Sequence, residues 1–348
     1  MNISYLNPLN IFFLLIFTFS LQIFLYNFFN KIDLFTDKDF SKPQSYHFSP
    51  TPRIGGVILF LPLLFYFIKD TINLTHLPIY LICIVCFLIG LLDDLKYMQN
   101  AKKKFLLLSV SIFIFSIFFD LKIINFGNEF LQLVNNNFLM SSFLFFCCIF
   151  VVVNGANLID GFNGLLILNL LIISLSLLIV SKITGNDYVY EYSLFFIISL
   201  IFLLYLNFPY ARIFMGDSGA YFGGAFIGLM SIELNSNPLI SPFFLASLNV
   251  YFFTEILFSI IRKSFEKKSP FQPDNMHLHM LIYRSISKKF NKKISNFVTS
   301  IVINFFFMLF VLVSLFFYNN NSICKILFFS FIILYLLVYF FLRKYNAQ

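Results

Sequence analysis

The chain has no tryptophan, and only 11% of its 348 residues are charged. So little charge excludes an ordinary soluble domain, where roughly a quarter of residues carry charge. Five cysteines, Cys83, Cys86, Cys147, Cys148 and Cys324, supply no disulfide framework. Cys83-Ile-Val-Cys86 has redox-motif spacing but sits in an apolar run, so both thiols read as small buried hydrophobes. Alternation of apolar and polar residues is also missing, which excludes an outer-membrane barrel. The first apolar stretch lacks a basic leader and a small-residue cleavage site, and reads as a retained span rather than a signal peptide. We find no convincing internal repeat or low-complexity linker.

What is present is apolar: 59% of residues are hydrophobic, 54 of them Phe. Continuous apolar runs mean membrane helices. The expected fold is all-α, a polytopic membrane protein forming a single domain over 1–348. Eleven candidate spans lie near 8–30, 54–69, 77–92, 105–119, 138–153, 164–181, 193–209, 219–233, 239–261, 296–318 and 323–342. An odd number places the termini on opposite sides. The connections after spans 1, 3, 5, 7 and 9, with the C-terminal tail, hold 20 of the 24 basic residues. By the positive-inside rule the C-terminus is expected in the cytoplasm and the N-terminus outside. The net charge of +8 then speaks to membrane orientation, not to nucleic acid.

Four polar islands interrupt the apolar runs, and this topology puts all four on the cytoplasmic side. Polar groups clustered at a bilayer edge are costly and point to function. Asp93 and Asp94 end span 3. Neighbours on a helix diverge by about 100°, so the two acids face different groups. Acids at a helix C-terminus oppose the helix dipole, which a merely capping role would not favour. Asn154, Asn157, Asp160 and Asn163 recur every third residue, a spacing that cannot hold one helical face. They read as a helix end entering a glycine-containing loop, with amides gathered around Asp160 to bind sugar, base or phosphate. Capping accounts for one or two of them. Met215-Gly-Asp217-Ser-Gly219 is a glycine turn exposing one acid, suited to Mg²⁺ with substrate phosphates.

The fourth island runs Ser269-Pro-Phe-Gln-Pro-Asp274-Asn-Met-His277-Leu-His279. Alternating histidines suit zinc, yet no Cys or further His supports it. Phosphate contact is expected instead, with Arg53, Arg284 and the lysines supplying positive charge. Arg262, Lys263, Lys267, Lys268, Lys288, Lys289, Lys292 and Lys293 are read mostly as orienting charges that meet anionic lipid. Glu255, inside span 9, is either a catalytic acid or a buried ion-pairing group.

These motifs, with Pro52-Arg53-Ile-Gly55-Gly56 before span 2, resemble the polyprenyl-phosphate N-acetylhexosamine-1-phosphate transferases (glycosyltransferase family 4). That family includes undecaprenyl-phosphate GlcNAc-1-phosphate transferases and the phospho-MurNAc-pentapeptide translocase. The blocks keep the family order over about residues 39–285. The resemblance implies a multi-pass enzyme of the bacterial inner membrane with a cytoplasmic active site. It would move a sugar 1-phosphate from a UDP-sugar to undecaprenyl or another polyprenyl phosphate, release UMP, and initiate an envelope glycan such as O-antigen or teichoic acid. It implies Mg²⁺, with Mn²⁺ as a substitute, on Asp217 and Asn157. Asp93 would deprotonate the lipid phosphate, with Asp94 as catalytic or ordering partner. Arg53, Lys103, Asn154, Asn157, Asp160, Asn163, Phe214, His277 and His279 would contact substrate, Phe214 near uracil. Partners are a UDP-sugar, polyprenyl phosphate and membrane lipid, with no nucleic acid; a homodimer is compatible. Two positions depart from the pattern. Met280 stands where the family often has a third His, which argues against the peptide-linked donor, and Leu107 replaces a Gln. UDP-GlcNAc, UDP-GalNAc and deoxy-amino sugars all fit. A secondary transporter would place ionisable groups at mid-membrane on broken, repeated helices. An inactive lipid-binding scaffold would not need the four acids intact.

Overall fold

The computed structural model describes residues 8–29, 36–37, 51–70, 76–98, 100–272 and 274–347. Pro273, in the fourth polar island, lies outside the described residues. Among the described residues the chain forms fourteen helices and one two-residue antiparallel pairing. The helices are α1 Pro8–Phe29, α2 Gly55–Asp70, α3 Leu77–Asp94, α4 Ala101–Phe118, α5 Glu129–Asn135, α6 Phe138–Ile159 and α7 Leu165–Thr184. There follow α8 Asp187–Asn207, α9 Gly216–Leu234, α10 Pro242–Leu248, α11 Val250–Phe265, α12 Leu278–Ser287, α13 Lys292–Phe316 and α14 Asn321–Ala347. Strand β1, Thr36–Asp37, pairs with β2, Thr51–Pro52.

Each of the eleven apolar stretches is helical, so the all-α membrane architecture holds. The number of crossings is a separate matter. Among the described residues six helices, α3, α6, α7, α8, α13 and α14, are long and apolar enough to cross a membrane. The pair α10–α11 makes up to seven if its 70° bend joins one broken span. Eleven crossings is therefore not established. The apolar part of α2 runs only over Gly55–Ile68. Helix α4 opens on three lysines, and small residues dilute α9.

Helix α9 is the centre of the bundle and packs against α2, α3, α6, α7 and α8. Nearly every residue from Ser218 to Ser231 is buried, as expected of a helix enclosed on all sides. Phe222 and Phe226 fill its flanks. Phe226 stacks on Phe196 with centroids 4.2 Å apart, and Phe222 meets Phe60, itself stacked on Phe87 at 3.9 Å. The periphery is the reverse. Helix α14 leaves Phe329, Ile333, Leu334, Leu337, Phe340 and Phe341 exposed, a surface that lipid would cover.

Buried polar side chains tie helices together where apolar packing against lipid gives no net drive. Gln22 Nε2 donates to Ile58 O (3.3 Å) and Ser199 O (3.2 Å), joining α1 to α2 and α8. Asn304 Nδ2 donates to Leu165 O (3.1 Å) and Ser300 O (3.0 Å), and its Oδ1 accepts from Asn169 Nδ2 at 3.4 Å. Asn304→Leu should cost about 0.5–2 kcal/mol, seen as a lower thermal midpoint in detergent. An unchanged midpoint would mean that packing alone holds α7 to α13.

Candidate active site

The first N–H groups of a helix have no partner within it. At α9 the carboxylate of Asp94 supplies one. Its Oδ1 accepts from the Asp217 N–H at 2.9 Å, and its Oδ2 accepts from the Ser218 N–H at 2.9 Å and the Ser218 hydroxyl at 2.5 Å. Gly216 makes the approach feasible. Its φ of +74° is left-handed, and a Cβ there would stand 2.6 Å from Asp94 Oδ2. One turn before Asp94, Gly90 lets the α3 and α9 backbones touch: a Cβ would lie 2.5 Å from the Asp217 carbonyl. From the other side Gly55 N–H donates to Phe214 O (2.9 Å) and Gly56 N–H to Met215 O (2.8 Å), while Phe214 N–H donates to Pro52 O (2.9 Å). Two of the polar islands and the Pro52–Gly56 motif thus form one structure around the start of α9.

Asp93, one residue earlier, is turned away from this cap. Its Oδ2 lies 3.0 Å from Lys104 Nζ, which is also 2.7 Å from Asp217 Oδ2. The phase of α4 decides which lysine arrives. Asn100 caps that helix, accepting from the N–H groups of Lys102 (3.0 Å) and Lys103 (3.4 Å). Lys103, the residue expected at the site, is exposed, and Lys104 turns inward. Burial opposes charge on Lys104, but Asp217 and Asp93 outweigh it and hold the amine above the ordinary lysine range.

The asparagine run divides its labour. Asn154 donates to Phe150 O of its own helix at 2.8 Å. Asn163 Nδ2 donates to Pro209 O at 2.9 Å, and its N–H donates to Asn296 Oδ1 at 2.9 Å. Asn207 accepts from the Gly164 N–H (2.6 Å) and donates to Ile213 O (2.8 Å). Asn154 and Asn163 therefore engage protein groups, and Asn163 with Asn207 braces the segment leading to Asp217. The Asn157 amide has no hydrogen-bond partner among the described residues. Asp160 is reached by the Gly216 N–H. Burial and Asp217 push its carboxyl up to about 7, against the pull of Arg53 and that N–H. Near neutral pH it can therefore donate as well as accept. Arg53 lies close enough to act on Asp94, Asp160 and Asp217 alike.

The histidine loop closes the site through the same turn. His279 meets Phe162 edge-on at 5.6 Å. His277 Nδ1 is 3.2 Å from Glu255 Oε2, and its Nε2 is 3.5 Å from Asp274 Oδ1. Arg262 donates to Asp274 at 2.9 Å, and Lys263 Nζ donates to the carbonyls of Pro270 (3.0 Å) and Gln272 (2.9 Å). These two cations are buried and clamp the loop, unlike the exposed Lys267, Lys268, Lys288, Lys289, Lys292 and Lys293. Burial works to raise Asp274, but His277, the Met276 N–H and Arg262 outweigh it and hold its carboxyl below the usual aspartate range. Met280, in place of a third histidine, is buried in the apolar core.

Among the described residues no group of three or more His, Cys, Asp or Glu is spaced to cage a metal. Two carboxylate oxygens do converge on one cation, the Lys104 ammonium. A pair of carboxylates misfits structural zinc, which wants four ligands, and fits Mg²⁺, which takes one or two together with water and phosphate.

Comparison with known proteins settles the family. A glycosyl transferase family 4 profile matches residues 76–235. The undecaprenyl-phosphate alpha-N-acetylglucosaminyl 1-phosphate transferase of Thermotoga maritima is 33% identical over 262 residues, 75% of this chain and 77% of that protein. The chain belongs to glycosyl transferase family 4. A probable undecaprenyl-phosphate N-acetylglucosaminyl 1-phosphate transferase of Bacillus subtilis is 32% identical over 238 residues, 66% of this chain and 64% of that one. The phospho-N-acetylmuramoyl-pentapeptide-transferase of Dictyoglomus thermophilum is 33% identical over 251 residues, 68% and 76% of the two chains. In this family 4 chain the matched region holds Asp93, Asp94, Lys104, Asp160 and Asp217, while Arg53 and the histidine loop lie outside it.

The two lysines give a direct test of the geometry. Lys104→Met should lower turnover by about 100-fold or more, the usual effect of removing one preorganised charge. Lys103→Met should stay within about twofold, since an exposed charge acts weakly through water. The reverse ranking would mean that α4 is rotated from the phase Asn100 sets.

Proposed function

We propose that this chain transfers an N-acetylhexosamine 1-phosphate from a UDP-sugar to a polyprenyl phosphate and releases UMP. The observation that carries the reading is the convergence of Asp93 and Asp217 on one cation at the mouth of the bundle, in a family 4 chain. The names of its relatives support the same chemistry. Both substrates are anionic, so their encounter is repulsive without positive charge. Mg²⁺, held by Asp217 with Asp93 and Asn157 beside it, would supply charge neutralisation of the diphosphate and leaving group.

The residues of the chain do the rest. An oxygen of the lipid phosphate attacks the β-phosphorus of the UDP-sugar. The bond to the bridging oxygen breaks, and UMP leaves with that oxygen. Asp93 accepts a proton from the lipid phosphate where it carries one, a modest gain because that phosphate's second pKa is about 6. Asp94 fixes the direction of Asp217 through the α9 N–H groups. Arg53 and Lys104 hold phosphate oxygens. Asn157 and Asp160 offer donors and acceptors to the nucleotide. A peptide-linked donor is the second reading, favoured by the likeness to the Dictyoglomus enzyme. The apolar burial of Met280 weighs against it.

Purified protein with undecaprenyl phosphate, Mg²⁺ and a panel of UDP-sugars should give lipid-linked product and UMP. Chelation, or Asp217→Asn in protein that remains folded, should abolish both. UMP release that survives either would remove this assignment, and its absence with every donor would leave the transporter or scaffold readings standing.

The active face is proposed to be cytoplasmic, supported by the distribution of basic residues. A reporter fused after Gln348 should then lie in the cytoplasm. Asn235 is buried, so the opposite face is better tagged at the exposed Ser236. Ser236→Cys should label from outside intact cells; labelling only after rupture would reverse the orientation.

A further inference from the structure

No step above uses Glu255. It lies in α11 after the bend and is 1% exposed. An unpaired carboxylate there would be costly. Its Oε2 is 3.2 Å from His277 Nδ1, and its Oε1 is 3.6 Å from His279 Nδ1. The two imidazoles are parallel within 3°, with centroids 5.5 Å apart. The hydroxyls of Tyr251 and Tyr335 border the same carboxylate. A carboxylate only accepts, so each ring nitrogen that faces it must carry the hydrogen. Glu255 Oε1 and His279 Nδ1 are both buried without a hydrogen-bond partner among the described residues, so each is the group that can satisfy the other across the 3.6 Å gap.

Protonation at Nδ1 leaves Nε2 to be accounted for. On His277 it faces Asp274 Oδ1 at 3.5 Å. On His279, which is 0% exposed, Nε2 has no hydrogen-bond partner among the described residues. It lies 3.8 Å from where a Gly161 Cβ would stand. Gly161 follows Asp160, so this nitrogen borders the turn that touches the start of α9.

We infer that Glu255 is a positioning residue that fixes the Nδ1–H tautomer of His279, so that His279 Nε2 is presented as a hydrogen-bond acceptor at the Asp160–Gly161 turn. Burial holds His279 below the ordinary histidine range, in keeping with a neutral ring. A neutral Nε2 repels a phosphate oxygen and takes a hydroxyl or amide N–H. On the transferase reading, on which this last step rests, that group is a hydroxyl or the acetamido N–H of the donor sugar.

Nitrogen-15 histidine spectra of the full-length protein in detergent test the tautomer without turnover. Wild-type His279 should show a protonated Nδ1 and a bare Nε2. In Glu255→Gln the side-chain amide cannot accept from both rings, so this signature should be lost. The same variant should raise the KM for UDP-GlcNAc by about tenfold or more, with kcat less affected and UMP affinity by calorimetry within about twofold. Glu255→Asp should recover part of the loss. An Nε2–H tautomer in wild type would overturn the inference even if Glu255→Gln fails to fold. So would a folded Glu255→Gln with wild-type tautomers, or one that loses kcat with KM unchanged. Absence of any UDP-sugar turnover in wild type would instead strike the transferase reading, and the spectra would still decide the role of Glu255.

Discussion

Both oxygens of Asp94 are engaged at the N-terminus of α9, and the rest of the site is arranged around that contact. A carboxylate at a helix N-terminus satisfies donors that have no other partner and meets the positive end of the dipole. The same contact fixes where Asp217 stands, because its own N–H is one of the donors. Gly90 and Gly216 let the two backbones come close enough for it. A side chain at either would separate α3 from α9 and carry Asp217 away from Asp93. Asp94 thus acts through Asp217, and the adjacent Asp93 is the member of the pair free to meet a cation.

The site also shows how a mostly apolar bundle tolerates so many ionisable groups at one end. Charges are grouped so that each has an opposite or a dipole beside it: Lys104 between Asp93 and Asp217, Arg262 on Asp274, Glu255 between two imidazoles. Removing one member would leave the other buried and uncompensated, which costs more than the pair contributes. Such groups are expected to fail together when one is changed. That makes the choice of variant matter: the exposed Lys103 and the half-buried Lys104 differ by one position in sequence and by most of their electrostatic effect.

Much of this was legible in the residues. Apolar runs marked the helices, and the order of the polar blocks marked the family. The divergence of Asp93 from Asp94 follows from the helical step alone. What was not legible depended on phase and on distant partners. The lysine that reaches the acids is set by the Asn100 cap, which fixes where α4 begins; the resemblance pointed to its neighbour, Lys103. Asn154 and Asn163 have the chemistry to bind a ligand, but a nearby carbonyl claims each. Arg262 and Lys263 look like surface charges until the loop folds back onto them. The number of crossings stays open for a related reason. An apolar stretch reports burial, and burial against other helices reads the same as burial in lipid, as α9 shows.

The two buried clusters, one around α9 and one around Glu255, meet at a three-residue turn. Asp160 lies near the Gly216 N–H, Gly161 borders His279 Nε2, and Phe162 packs edge-on to the His279 ring. The turn leaves α6 and is braced by Asn163 and Asn207, so it is held from the protein side. A ligand lying along it would meet the acids of α3 and α9 at one end and the histidine loop at the other. The carboxylate end needs a cation and favours phosphate. The end with a bare imidazole nitrogen favours a hydrogen-bond donor. A molecule with a diphosphate and a hydroxyl-bearing sugar presents those two chemistries in that order, so on the proposed reading the polarity of the turn itself would orient the donor.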